Sequence, residues 1–140
     1  MSLFTTDLER ELTYPMVLNF LRLADPPPEQ RPQEGLAIDY NEEIPRDLGD
    51  VVAAFSNTAG GLVMLGVKED KQHSLAIPDT VPGLSGTTEA IKGRIVNILS
   101  TTVTPRPTFS VGIVPAHQPP NTFVAVIRVA EGMEPPYRNL

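Results

Sequence analysis

The chain contains no cysteine and no tryptophan, and only two histidines in 140 residues. Without cysteine there is no disulfide framework, no thiolate zinc or iron–sulfur site and no thiol nucleophile. His73 and His117 both stand in proline-bearing or polar, loop-like surroundings. A His-rich metal site or a Ser-His-Asp triad therefore has little to draw on. No apolar run approaches the roughly 18 residues of a membrane span, and the N-terminus carries early acids in place of a basic lead into an apolar stretch. These features predict a cytoplasmic protein with no membrane contact. Basic residues are also few: 11 against 17 acids, a net charge of −6. That balance argues against a surface that clamps a phosphate backbone all round, since such affinity comes from Lys and Arg neutralising phosphates.

What is present is the composition of one ordinary globular domain, 41% hydrophobic and 20% charged. Proline is plentiful, with 15 residues, about twice the usual ~5% share. It predicts extended joints and sharp element boundaries. The acidity is uneven, because residues 1–50 hold 11 acids and four bases whereas residues 51–140 hold six and seven. The second half thus has room for a local phosphate-binding face of modest affinity.

Thr6-Asp7-Leu8-Glu9 matches a capping box and predicts a first helix. Pro15 interrupts it, and Thr13 is placed to cap a second, from about Pro15 to Leu23, with Met16, Val17, Phe20 and Leu21 on one face. Together these form an N-terminal helical hairpin over residues 1–24. Residues 25–33, with Pro26-Pro27-Pro28 and Pro32, read as a polyproline-like connector. A domain over residues 34–140 follows. Its first strand starts near Glu34, with Leu36, Ile38 and Tyr40 toward the core and Ala37, Asp39 and Asn41 outward. A helix from Pro45 has Leu48, Val51, Val52 and Phe55 at helical spacing and ends at Gly60-Gly61. Leu62–Val67 is a short continuous apolar run, best explained by a strand buried on both faces. Lys68–Gln72 reads as a charged turn and Ser74–Ile77 as a weak strand or loop. A helix from Thr87 to Val103 carries the stripe Ile91, Ile95, Ile98 and Leu99, with Lys92 and Arg94 off it. Strands over Phe109–Val114 and Thr122–Val129 flank a proline-bearing loop. The order is β-α-β-(β)-α-β-β, an α+β sheet with helices packed on it. Residues 134–138 look like a further edge segment beginning, which suggests a piece of a longer protein.

The stretch Ala53-Ala54-Phe55-Ser56-Asn57-Thr58-Ala59-Gly60-Gly61-Leu62-Val63-Met64-Leu65-Gly66-Val67 resembles the "AFANT-x-GG-x-(L/I)-x-IGV" signature of the Schlafen AlbA-type DNA-binding domain family, once described as divergent AAA-ATPase-like. Glu34-x4-Asp39-Tyr40-Asn41 is similar to the family's "E-x4-E-(F/Y)-K" motif. Asn41 stands where the family has lysine, and Asp39 replaces its second glutamate. Pro136-Tyr137-Arg138 resembles the start of its "YxR" ending. The resemblance implies an Alba-like domain, often the N-terminal module of a bacterial transcriptional regulator. In the Schlafen branch, similar domains are metal-dependent endoribonucleases that use three carboxylates. On that reading Glu34, Asp39 and either Glu69 or Asp70 would be catalytic, with Glu34, Asp39 and Glu69 holding Mg²⁺ or Mn²⁺.

Oxygen ligands suit such ions, and an ion so held can activate water. Yet a spacing of five puts Glu34 and Asp39 on opposite faces of a regular strand, so they can meet only if Glu34 belongs to the preceding loop or a bulge intervenes. The other reading is a solvated acidic edge. Asn57, Thr58, Gly60, Gly61 and Gly66 either define a helix-to-strand corner or add phosphate contacts through exposed backbone N–H groups. The corner is no Walker A loop, lacking Gly-x4-Gly-Lys-Ser/Thr. Candidate nucleic-acid contacts are Lys68, Lys71, Lys92, Arg94, Arg106, Arg128 and Arg138. No aromatic interleaving accompanies them, and Phe55, Phe109, Phe123 and Met64 read as core. Three classes stay open: a DNA- or RNA-binding module without cofactor, a Mg- or Mn-dependent endoribonuclease, and an interaction domain that self-associates as a homo-oligomer.

Overall fold

The computed structural model describes residues 3–23, 31–32, 34, 37–70, 77–117, 119–133 and 136–139. The connector expected over residues 25–33 lies mostly outside them, as do Leu36, Lys71, His73 and most of the weak strand expected at Ser74–Ile77. The class is α+β, built on a mixed sheet.

A single helix, α1 (Tyr14–Leu21), stands in the N-terminal segment, with Pro15 in its first turn and the Thr13 hydroxyl accepting the Met16 N–H. The first helix predicted from the capping box is absent. Residues 7–11 make one turn, closed by Glu11 N–H to the Asp7 carbonyl, and the Asp7 carboxylate accepts from Glu9 and Arg10. With Pro15 so close, the segment is too short to offset the cost of helix nucleation.

The sheet begins with β1 (Ile38–Asn41), shorter than expected. Helix α2 (Leu48–Ser56) leads to β2 (Gly61–Leu65), which is buried along its whole length, as its unbroken apolar run predicts. The expected charged turn is instead β3 (Lys68–Glu69), paired with β4 (Pro78–Thr80). After β5 (Leu84–Ser85), helix α3 (Thr88–Thr102) starts on a Thr87 cap and buries Ile91, Ile95 and Leu99. Then come β6 (Val103–Thr104), β7 (Phe109–Pro115), β8 (Thr122–Val129) and β9 (Arg138–Asn139). Strand β1 runs parallel to β2, and β2 antiparallel to β8. Strand β7 follows β8 along one edge, so β2 and β5 share the other. The short pair β6–β9 lies apart.

Alternation along β2 and β8 divides the core in two. Val63, Leu65, Ala125, Ile127 and Val129 pack with α2 and α3, whereas Leu62, Met64, Val124 and Val126 pack under the N-terminal segment with Leu3, Leu8, Val17 and Leu21. Gly112 of β7 makes the second contact possible. A Cβ there would overlap the Leu8 carbonyl oxygen and stand 2.8 Å from a Leu12 methyl. Gly112→Ala is therefore expected to push the segment off the sheet and cost about 1–3 kcal/mol. Urea unfolding measures it, and an unchanged midpoint would show that the segment is not part of the cooperative unit.

Candidate functional site

The Glu34-x4-Asp39 motif folds back on itself. Glu34 lies ahead of β1, outside the strand, and its carboxylate accepts the Tyr40 N–H at 2.9 Å. The Tyr40 hydroxyl, buried among apolar side chains, donates to the Pro32 carbonyl at 2.7 Å. Burial first, then the Glu34 carboxylate, push that hydroxyl far above its usual pKa, so it remains a donor. These bonds fasten the end of the connector over β1. They also bring Glu34 to Asp39, which alternation along one strand would have kept apart.

Glu34 and Asp39 hydrogen-bond to each other, and Glu34 also bonds Glu69. Burial raises both the Glu34 and the Asp39 carboxyl above their ordinary values. Opposing it on Glu34 is the Tyr40 N–H, and on Asp39 the Asn41 amide, which donates to the carboxylate. Asn41 thus supplies a neutral hydrogen bond at the position of the family lysine. Glu69 belongs to the cluster, while buried Asp70 is not among the groups acting on Glu34 or Asp39; its N–H bonds the Ile77 carbonyl at 2.6 Å. Asp47, which sequence reasoning passed over, adds a further negative charge facing Asp39. Its signal was the short loop from β1 to α2, which returns the helix start to the strand end.

An all-oxygen donor set has the right chemistry for Mg²⁺ or Mn²⁺. The arrangement does not fit one as it stands. Among the described residues no three His, Asp or Glu side chains are disposed to hold a metal ion, and the Glu34 and Asp39 oxygens are engaged with N–H donors and with one another.

The Asn57 corner does a different job. Its side-chain amide donates to the Tyr137 carbonyl at 2.9 Å while its oxygen accepts the Tyr137 N–H at 2.5 Å. This two-bond clasp joins the end of α2 to the segment leading into β9. The Thr58 hydroxyl bonds back to the Ala54 and Phe55 carbonyls. Gly60 has φ +83°, and a Cβ on it would collide with the Val129 carbonyl oxygen, so the corner packs directly on the end of β8. Gly61 opens β2 opposite Val129, and Gly66 follows β2, its N–H bonded to the Asn41 carbonyl and its carbonyl to the Gly83 N–H.

Among the predicted cations, Lys68, Lys92, Arg94, Arg106 and Arg138 are exposed, and none of their side chains makes an ion pair or hydrogen bond with a described residue. Lys92 and Arg94 share α3, and Arg138 sits opposite Thr104, two residues before Arg106. Arg128 is different. Half-buried, it donates through one Nη to the Leu3 carbonyl at 3.1 Å and the Thr6 carbonyl at 2.5 Å, pinning the N-terminal segment to the sheet. His117 packs its ring on Tyr14, 4.6 Å between centroids.

These features define an α+β domain with an Asn-Thr-x-Gly-Gly corner and a folded-back carboxylate motif. A model of the Schlafen, AlbA_2 family matches residues 34–139, and the chain belongs to that family. No curated protein matches it. The family supports a nucleic-acid-related function. Among the described residues no helix is long and apolar enough to cross a membrane.

Because Glu34 and Asp39 are raised, the folded state holds protons more tightly than the unfolded chain. Their stabilisation is complete below the ordinary values, 4.5 for Glu34 and 3.8 for Asp39, and is lost as pH rises through the raised folded values. Asp39→Asn is therefore expected to melt a few degrees above the parent at pH 7, with the gap closing toward pH 4. Thermal melts followed by circular dichroism check this; a deficit of equal size at every pH would contradict it.

Proposed function

We propose that the chain is a nucleic-acid-binding module, without catalysis of its own, of the kind that serves a larger transcriptional regulator. The observation that carries this reading is the set of exposed bases, Lys68, Lys92, Arg94, Arg106 and Arg138, free of described partners in a chain of net charge −6. Surface bases in an acidic protein are readily neutralised by nearby carboxylates, and these are left available for phosphate. The acids nearest the family motif, in contrast, are turned toward one another. Contacts of this type act through counterion release and carry little sequence information. The expected affinity is that of non-specific binding, roughly 10⁻⁴–10⁻⁶ M at physiological salt.

Gel retardation of duplex DNA and of single-stranded RNA across a salt series tests the reading. Removing one lysine or arginine that touches a phosphate reduces the salt slope by about one. Lys92→Glu with Arg94→Glu tests the α3 face, and Arg106→Glu with Arg138→Glu the β9 end; the pair that lowers the slope identifies the phosphate-binding face. No retardation at low salt would refute the module and favour an interaction domain.

A second reading, a metal-dependent endoribonuclease, is favoured by one observation, the meeting of Glu34, Asp39 and Glu69. It requires these carboxylates to give up their mutual hydrogen bonds. Cleavage of transfer RNA in the presence of Mn²⁺, abolished in Asp39→Ala, is the outcome expected of a nuclease; intact RNA and no Mn²⁺ binding by calorimetry is the outcome expected of the module.

A further inference from the structure

A cavity of about 840 Å³ opens at the end of the sheet where β1, β2 and β7 begin and β8 finishes. No carboxylate is among its described lining residues, so the Glu34–Asp39–Glu69 cluster takes no part in it. Its size is within the roughly 300–1,000 Å³ typical of small-molecule sites. The walls are chemically divided. Ala54, Phe55 and Ala59 of α2 and its corner, with Phe109 and Val129, make an apolar part on the helix side of the sheet. Arg128, one residue before Val129, projects from the other face of β8, where Ser110 is its cross-strand neighbour. The cavity therefore wraps the end of the sheet, from an apolar half to a half that ends on a guanidinium.

Charge narrows the choice of ligand. Arg128 is the one charged side chain among the described residues lining the cavity, with no carboxylate beside it, in a protein where acids outnumber bases. One Nη makes both of its bonds to the Leu3 and Thr6 carbonyls, and its other nitrogens have no partner among the described residues. The guanidinium is thus oriented by the N-terminal segment and retains donors for an anion, the geometry that suits a carboxylate or a phosphate. Phe4, 41% exposed, forms the outer wall on that side and meets Phe20 edge-on. We infer that this cavity binds a small amphiphilic anion, an aromatic or acyl body against Ala54, Phe55 and Phe109 with its anionic head on Arg128. The site is separate from the nucleic-acid reading and stands or falls without it.

Nitrogen-15 NMR titration of the 140-residue chain with 3-phenylpropionate and with octanoate, each compared with its primary amide, tests the inference. The acids are expected to shift the amides of Ala54, Ala59 and Ala130 and to bind about tenfold more tightly than the isosteric neutral amides, the value of one charged hydrogen bond. Arg128→Gln should make acid and amide equal. Ala54 is exposed, so Ala54→Trp fills the apolar half without disturbing the core and should abolish both; it also keeps the test open if Arg128→Gln fails to fold. Equal affinity of acid and amide for the parent would overturn the anionic head. So would shifts elsewhere only, no shift at millimolar ligand, or displacement of octanoate by a short oligonucleotide that moves the same resonances.

Discussion

A sheet with apolar side chains on both faces must be covered twice, and that requirement shapes the whole molecule. Every residue of β2 is buried, and the inward residues of β8 alternate between two separate cores. Helices α2 and α3 cover one face. The other would expose Leu62, Met64, Val124 and Val126, each of which gains about 1.5–3 kcal/mol from full burial. The N-terminal segment supplies the missing cover, although it lies outside the residues that match the family. Its attachment is chemically specific. Gly112 lets the backbone of Leu8 approach β7, and Arg128 satisfies two carbonyls that no regular element would reach. A half-buried guanidinium costs free energy unless it is hydrogen-bonded, so the arginine and the segment need each other.

The second organising contact is the Asn57 clasp. Corners between a helix and a strand are commonly closed by glycine alone, and Gly60 does part of that work here through its positive φ. Asn57 adds something a glycine corner lacks, a side chain that mimics a strand edge and pairs with both backbone groups of Tyr137. Two stretches of sequence 80 residues apart become one hydrogen-bonded unit. Tyr137 is buried in the helix-side core, β9 pairs with β6 after α3, and Arg138 is left facing water. The corner is thereby fold-defining and, through β9, sets where an exposed base stands.

How much of this was legible depended on whether local pattern or distant contact decides each element. Helices α2 and α3 and strands β2, β7 and β8 are long enough for their apolar periodicity to specify them, and their core residues followed. The two-residue strands β5 and β6 exist because a neighbour's edge is present, so no local signal marks them, whereas β9 follows the edge segment expected over residues 134–138. Thr6-x-x-Glu9 had the letters of a capping box but too little chain before Pro15 to continue. The carboxylates are the instructive case. Strand alternation correctly set Glu34 and Asp39 on opposite faces of a continuous strand; the structure shortens that strand and anchors Glu34 through Tyr40, so they meet. The family resemblance pointed to that meeting, while the hydrogen bonds that produce it depend on tertiary position. Arg128 shows the reverse: a basic residue in sequence, it is committed to a structural bond that only the N-terminal cover creates.

Charge is distributed along the sheet in a way the net value of −6 conceals. Near the strand motif, the partly buried Glu34, Asp39 and Glu69 interact, with Asp47 close by, so acidic groups are concentrated there. At the start of β2 the cavity wall carries a cation and no acid among its described lining. The exposed bases of α3 and β9 lie after residue 90 in sequence, and Arg94 shares the lining of a small pocket with Glu43. A polyanion approaching this surface is repelled by the motif and attracted by α3 or β9. Charge of both signs on one small domain thus limits how any polyanion can approach it even where the total attraction is weak, because repulsion from the motif excludes encounters that the few bases could not by themselves distinguish.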